Sequence, residues 1–202
     1  AINISGLCIG MASAILILLW IQSELNFDGF HEKKDRIYEI WNRAEFSGNM
    51  QCWNTTSKVL ARTIERDIPE VERAVRVNWP SNYLLAVGDK KLTVQGNMVD
   101  SGFLQMFTFP LKEGNPVTAL NDMHSIVVTE KLARKMFGKV DVMGKMININ
   151  NKDNFTITGV LKELPSDSRF NFEYLLPWSY LRSIGEDDEN WRNNSNATYV
   201  ML

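Results

Sequence analysis

Residues 1–23 carry no charged side chain, and the first charge is Glu24. As an α-helix this run measures about 34 Å at about 1.5 Å per residue. The hydrocarbon core of a bilayer is about 30 Å thick, so the run is long enough to cross it. The stretch Ala14-Ile15-Leu16-Ile17-Leu18-Leu19-Trp20-Ile21 is apolar on every side, as lipid contact or complete burial demands. Trp20 lies near its end, where interfacial aromatics gather. A secretory signal peptide has a shorter apolar region and a small-residue cleavage site. Here Gln22-Ser23-Glu24-Leu25-Asn26-Phe27-Asp28 follows instead. A buried core helix is the other alternative, but the uncharged run is long for one. A transmembrane helix over residues 1–23 is the expectation. Within it Gly6, Gly10 and Ala14 recur at i, i+4 and i+8, a small-residue stripe that lets a second helix approach closely. The flanking charges Glu32, Lys33, Lys34, Asp35 and Arg36 are mixed, so the positive-inside rule gives no orientation.

The remaining residues suffice for one or two folded domains. With 45% hydrophobic and 23% charged residues, extensive disorder is not expected. The formal net charge is −2, without the basic excess that a nucleic-acid partner requires. Cys8 lies in the apolar run and Cys52 outside it, so no disulfide framework is implied. The chain begins inside an apolar helix and ends on Val200-Met201-Leu202, which reads as a fragment of a longer protein.

The soluble part mixes strand and helix signals, an α+β pattern. Residues 36–41 alternate apolar and polar, and the alternation weakens to Phe46 before Ser47-Gly48-Asn49 breaks it. Thr55, Thr56 and Ser57 are candidate N-caps for a helix ending near Asp67, with Val59, Leu60 and Ile64 as its apolar stripe. Residues 71–77 read as a strand. Residues 83–87 and 91–95 read as a hairpin around Gly88-Asp89-Lys90. Residues 103–107 read as a short helix, and residues 125–129 as a strand. Thr129 then caps a helix over residues 130–137 that Gly138 ends. Residues 145–150 and 155–161 form a second hairpin. Residues 171–176 and 198–202 are further strands, with a helix from Trp178 to about Ile184 between them.

Motifs for chemistry are lacking. His31 and His124 have no metal-ligand spacing, and there is no C-x-x-C, G-x-S-x-G, Walker loop or G-x-G-x-x-G. His31 reads as a surface or capping histidine. Glu186-Asp187-Asp188-Glu189 lacks calcium-loop spacing and reads as a solvated loop. The tryptophans read mostly as core or interface residues. Asn54-Thr55-Thr56 and Asn196-Ala197-Thr198 match glycosylation sequons, which carry weight only in a glycosylating cell. No catalytic residue, cofactor or metal is expected, and the protein reads as a non-enzyme.

Several ordered stretches together resemble the MacB/FtsX-like ABC permease family in its large Bacteroidetes form. They are Gly6-Leu7-Cys8-Ile9-Gly10-Met11-Ala12 running on to Leu25, Phe27-Asp28-Gly29-Phe30-His31, and Asp35-Arg36-Ile37-Tyr38-Glu39-Ile40. Further on come Pro69-Glu70-Val71-Glu72, Phe103-Leu104-Gln105-Met106-Phe107, Ile126-Val127-Val128-Thr129-Glu130-Lys131-Leu132-Ala133, Met136-Phe137-Gly138 and Met143-Gly144-Lys145. The resemblance covers nearly the whole chain. It implies a first transmembrane helix at residues 1–23 followed by a MacB-like periplasmic domain. A porter-like α/β portion would occupy residues 24–82 and 166–202, interrupted by a β-rich inserted portion at 83–165. It implies a bacterial inner-membrane location with the soluble domain in the periplasm. The partners would be a cytoplasmic ABC ATPase, a second permease protomer, membrane lipid and a periplasmic partner protein. The function implied is relay of ATPase-driven movement across the membrane, to export or mobilise a substrate. The residues expected to matter are the helix-packing set Gly6, Gly10 and Ala14. A membrane-anchored sensor or scaffold binding a peptide, lipid or cell-wall protein is the alternative, and a membrane-tethered hydrolase the third.

Overall fold

The computed structural model describes residues 2–202, with side chains from residue 4 onward. In chain order the elements are α1 (Ile2–Asn26), β1 (Ile37–Glu39), β2 (Asn42–Phe46), β3 (Asn49–Trp53), β4 (Thr56–Ser57), α2 (Leu60–Asp67) and β5 (Arg73–Asn78). Then follow β6 (Ser81–Val87), β7 (Lys90–Val99), α3 (Phe103–Met106), β8 (Leu111–Gly114), β9 (Ser125–Thr129) and α4 (Glu130–Phe137). The chain closes with β10 (Met146–Ile149), β11 (Asp153–Leu161), β12 (Tyr174–Pro177), α5 (Trp178–Ser183) and β13 (Asn194–Met201). The mixed α/β content agrees with the sequence expectation.

Local chemistry explains the elements that the sequence marks most clearly. The Thr129 side chain accepts from the Leu132 N–H at 3.2 Å, satisfying one orphan donor at the start of α4. Gly138 stops the helix at φ 73°, the left-handed conformation that glycine adopts without a Cβ clash. Leu132, Ala133 and Met136 form the buried face. The expected caps at Thr55, Thr56 and Ser57 are corrected. Thr56 and Ser57 form β4 and pair with Asn194 and Asn196 of β13, while α2 begins after Val59 with no side-chain cap. The Thr56 hydroxyl lies 2.7 Å from that of Thr198, and a polar side chain so buried needs that partner. The break at Ser47-Gly48-Asn49 is the turn of a β2–β3 hairpin that stands apart as its own two-stranded sheet.

The other strands make one sheet in the order β1-β13-β5-β7-β12-β9-β11-β10-β6, with β4 on β13 and β8 on β11. β6 also pairs with β7, so six of these strands (β7, β12, β9, β11, β10 and β6) close into a ring. Closure removes free edges and lets inward side chains fill a common core. That core includes Leu85, Val94, Ile126, Ile147, Ile149, Phe155, Ile157 and Leu176, capped by Leu132 of α4 and Leu181 of α5. Gly96 and Tyr174 are register partners in β7 and β12, and a Cβ on Gly96 would lie 2.5 Å from three carbons of the Tyr174 ring. The bare strand lets the ring cross it, so that the hydroxyl reaches the Ser81 carbonyl at 2.9 Å.

A second core joins the ring to the open β5-β13-β1 end of the sheet and is strongly aromatic. Phe103, Phe107, Phe109, Phe170 and Phe172 cluster there with ring centroids 4.9–6.4 Å apart. Edge-to-face pairs of this kind add about 0.5–1.5 kcal/mol each beyond burial. A small third cluster packs Ala61 of α2 on Val71, Ala74 and Val200.

α1 projects free of this body. Ile4–Asn26 is long and apolar enough to cross a membrane, and none of it is buried against the rest of the chain.

Candidate functional site

Among the described residues no cluster of His, Cys, Asp and Glu could hold a metal ion. Cys8 and Cys52 are both free and exposed. A bonded joint forms at the foot of α1. It is built from residues 27–36, the loop at residues 162–173, residues 107–109 and the strands β1 and β13.

The joint starts at the C-terminus of α1. Asp28 adopts φ 54°, a left-handed conformation that aspartate tolerates better than most residues. Its N–H donates to the Asp167 carbonyl at 2.8 Å, and its Oδ1 accepts from the Arg169 N–H at 2.9 Å. The Glu32 N–H donates to the Thr108 hydroxyl at 3.0 Å, and the Lys33 ammonium donates to the Gln105 carbonyl at 2.9 Å. Residues following the helix are thus bonded to two separate segments of the body by the time the chain reaches Lys33, seven residues after the helix ends at Asn26.

His31 is the centre of the joint, and its position corrects the surface reading. It is 4% exposed and packs against Phe30, Phe107 and Phe109 at centroid distances of 4.0, 5.2 and 5.1 Å. Nδ1 accepts from the Thr108 N–H at 3.1 Å, which requires a lone pair and so fixes the neutral tautomer with the proton on Nε2. Nε2 is buried without a hydrogen-bond partner, and the nearest acid is Asp28 at 3.9 Å. Burial pushes the imidazole below its ordinary value near 6.5, against the pull of Asp28. The unfolded chain therefore takes up this proton at a higher pH than the folded one. The stability is fully present above about 6.5 and declines as pH falls through the window below it. Melts recorded at pH about 7.5 and about 5.5 should show this loss, and His31→Gln, which keeps an acceptor but cannot titrate, should shrink it. An unchanged pH dependence in that variant would show that other groups cause it.

Beside His31 lies an ion pair that no local sequence signal announces. Arg169 Nη1 meets Glu39 Oε2 at 2.6 Å. Glu39 also accepts from the Trp41 indole, the Asn54 amide and the Tyr199 hydroxyl. Burial pushes the Glu39 carboxyl up, but these bonds outweigh it and hold the group below the usual carboxylate range. Burial also pushes the Tyr199 hydroxyl up to about 12. Two clefts flank the pair, one of about 140 Å³ on the His31 side and one of about 210 Å³ toward Trp79 and Asn97. The β1–β13 pairing sets Ile37 opposite Met201, and the Leu202 N–H donates to the Arg36 carbonyl at 3.0 Å. The last strand thus returns to the same foot.

A second charged cluster clamps the body. Arg76 of β5 is buried, bonds both oxygens of Asp100 at 2.8–2.9 Å and approaches Asp187 at 3.3 Å, with its guanidinium 4.2 Å above the Trp178 ring. The solvated-loop reading of residues 186–189 is corrected accordingly. The Asp187 side chain is fully shielded between Arg76 and Arg182, and Asp188 pairs with Lys58 at 2.9 Å. Burial pushes the Asp187 carboxyl up, yet the neighbouring cations prevail and hold it low. Of the tryptophans, Trp178 is buried in the core, while Trp20, Trp41, Trp79 and Trp191 are exposed.

Gly6, Gly10 and Ala14 lie on α1, far from this joint. Among the described residues no heavy atom lies within 4 Å of a Cβ placed on either glycine, and Ala14 is exposed.

A family model described as the MacB-like periplasmic core domain matches residues 1–202. No curated protein matches the chain. Among solved structures, a domain of a protein assigned as a permease from Porphyromonas gingivalis is similar, with TM-score 0.71, 29% identity, and coverage of 85% of this chain and 75% of that one. The periplasmic region of MacB from Actinobacillus actinomycetemcomitans shares the fold at TM-score 0.57 and 18% identity, over 83% of this chain and 74% of that one. So does the extracellular domain of the noncanonic ABC-type transporter YknZ from Gram-positive bacteria, at 0.57 and 16%, over 83% and 82%.

Proposed function

The chain belongs to the MacB-like periplasmic core domain family, and on that premise we propose that it is part of an ABC transporter permease subunit that relays ATPase-driven movement to its extracytoplasmic domain. α1 is the first span, anchored in the bacterial inner membrane with the soluble domain in the periplasm. The observation that carries this reading is the joint, where backbone and side-chain bonds from residues 28, 32 and 33 seize the body directly after the helix. A tether needs no such bonds. A rod that transmits displacement does, because packed elements shift as rigid bodies rather than deform. ATP hydrolysis belongs to a cytoplasmic partner, and the export or mobilisation of substrate follows from the motion. The porter-like portion corresponds to the β1-β13-β5 end of the sheet with α2. The β-rich inserted portion, residues 83–165, supplies most of the closed ring, whose strand β12 (Tyr174–Pro177) comes from the segment expected to return to the porter-like portion.

The stripe Gly6, Gly10 and Ala14 is the face on which α1 meets another span, of the same permease or of a second protomer. Its emptiness within the chain supports this. In the full-length permease, Leu at all three positions should cut co-purification of the ATPase and partner spans by about tenfold, roughly 1.4 kcal/mol of association. The soluble domain should keep its melting profile. Recovery and transport equal to wild type would overturn the packing role. Failure of the wild-type permease to retain any ATPase would overturn the transporter reading and favour the membrane-anchored sensor or scaffold.

A further inference from the structure

The cleft of about 140 Å³ at the joint holds more unsatisfied donors than the fold uses. His31 Nε2, protonated in the tautomer fixed by Thr108, has no partner and is buried. The ammonium of Lys34 has none among the described residues. Arg169 engages Glu39 and Tyr199 through Nη1 alone, leaving its other guanidinium nitrogens free. On the same wall the Asp28 carboxylate uses Oδ1 for the Arg169 backbone and keeps Oδ2 open. Donors and a carboxylate in one recess suit a ligand carrying an anion and a cation together.

The position of the cleft selects the source of such a ligand. The charge-free run ends at Ser23 and α1 continues to Asn26, about 5 Å further at about 1.5 Å per residue. The polar headgroup layer extends roughly 5–8 Å beyond the hydrocarbon on each face. Asp28 follows two residues later, so the recess begins at the outer part of that layer, within reach of a headgroup.

We propose that this cleft holds the headgroup of a phospholipid that carries a phosphodiester and a primary ammonium. Lys34 and Arg169 take the phosphate oxygens in charge-assisted hydrogen bonds, and Asp28 takes the ammonium. A quaternary ammonium has no N–H for that carboxylate, and a glycerol headgroup has no positive charge. The site therefore discriminates among lipids that share one phosphate. The lipid pins the foot of the rod to the membrane surface, so that movement of α1 passes to the body instead of tilting the joint.

This inference rests on α1 spanning the bilayer, and the test separates the two. The full chain is reconstituted in vesicles containing phosphatidylethanolamine, phosphatidylglycerol and phosphatidylcholine in equal amounts, floated, extracted in mild detergent and read by native mass spectrometry. Phosphatidylethanolamine should be retained about tenfold over either competitor. Lys34→Gln, an exposed change, should reduce retention to the level of the competitors with an unchanged melting temperature. Equal retention of the three lipids, or full retention in Lys34→Gln, would overturn the proposal. Displacement of the lipid by free phosphoethanolamine at equal concentration would also overturn it, by showing a soluble occupant. A chain that fails to float with the vesicles would overturn the membrane-span reading instead.

Discussion

A flexible Gly-Ser-Gly-Ser segment inserted between Asn26 and Phe27 should lower transport by the full-length permease at least about tenfold while the partner continues to hydrolyse ATP. The expectation follows from comparing lengths. Four flexible residues span about 11 Å on average. Packed helices in switching proteins shift by about 1–2 Å at subunit interfaces. The slack exceeds the stroke, so displacement of α1 is absorbed before it reaches Asp28. The bonds of residues 28, 32 and 33 to the body survive the insertion, which separates loss of transmission from loss of fold. The same segment placed at the exposed Ser47-Gly48 turn of the β2–β3 hairpin is the control and should leave transport intact. If transport persists with the slack joint, α1 is an anchor and the domain moves by some other route.

Arg76→Met should destabilise the domain by about 3–5 kcal/mol, the range for removing one partner of a buried ion pair. Asp100 then loses both of its guanidinium bonds, and Asp187 keeps Arg182 alone inside a shielded site. The loop after α5 also loses one of its ties to β5, so limited proteolysis there should accelerate. Arg76→Lys should not restore stability, because a single ammonium cannot make the two parallel bonds or lie flat on Trp178. Neutralising Asp100 and Asp187 to asparagine alongside Arg76→Met should recover part of the loss, since the expensive element is the unpaired charge. Urea denaturation of the wild type and the three variants checks the series. A cost for Arg76→Met under about 1 kcal/mol would show that water reaches the cluster and that the clamp contributes little.

The sequence revealed what short-range physics decides. The segment from Ser125 through Thr129 to Gly138 was readable to the residue, because a β-branched apolar run, a hydroxyl cap and a left-handed glycine are all local signals. Both hairpins of the ring were readable for the same reason. Thr56 and Ser57 misled because cap and strand use the same hydroxyls, and the deciding partner lies at Asn194–Met201. β3 gave no alternation because four of its five residues are exposed. His31 looked superficial because Thr108, which holds it, is 77 residues away. Glu39 and Arg169 are 130 residues apart, so neither gives any hint of the other. The long apolar helix α1 was legible from its charge-free run, but its foot was not, since the foot is assembled from four separated segments.

The position of β13 bears on when this foot can exist at all. Among the described strands β13 is synthesised after all the others, yet it lies between β1 and β5, with Met201 opposite Ile37. Until it has been delivered, β1 has no partner and β5 offers an open edge, the condition in which wrong pairings are made. Pairings so distant in sequence also form slowly. A chain arrested before β13 is made would carry a finished α1 and an unfinished joint. Attachment of α1 to the domain through β1 is therefore available only to chains in which β13 has formed.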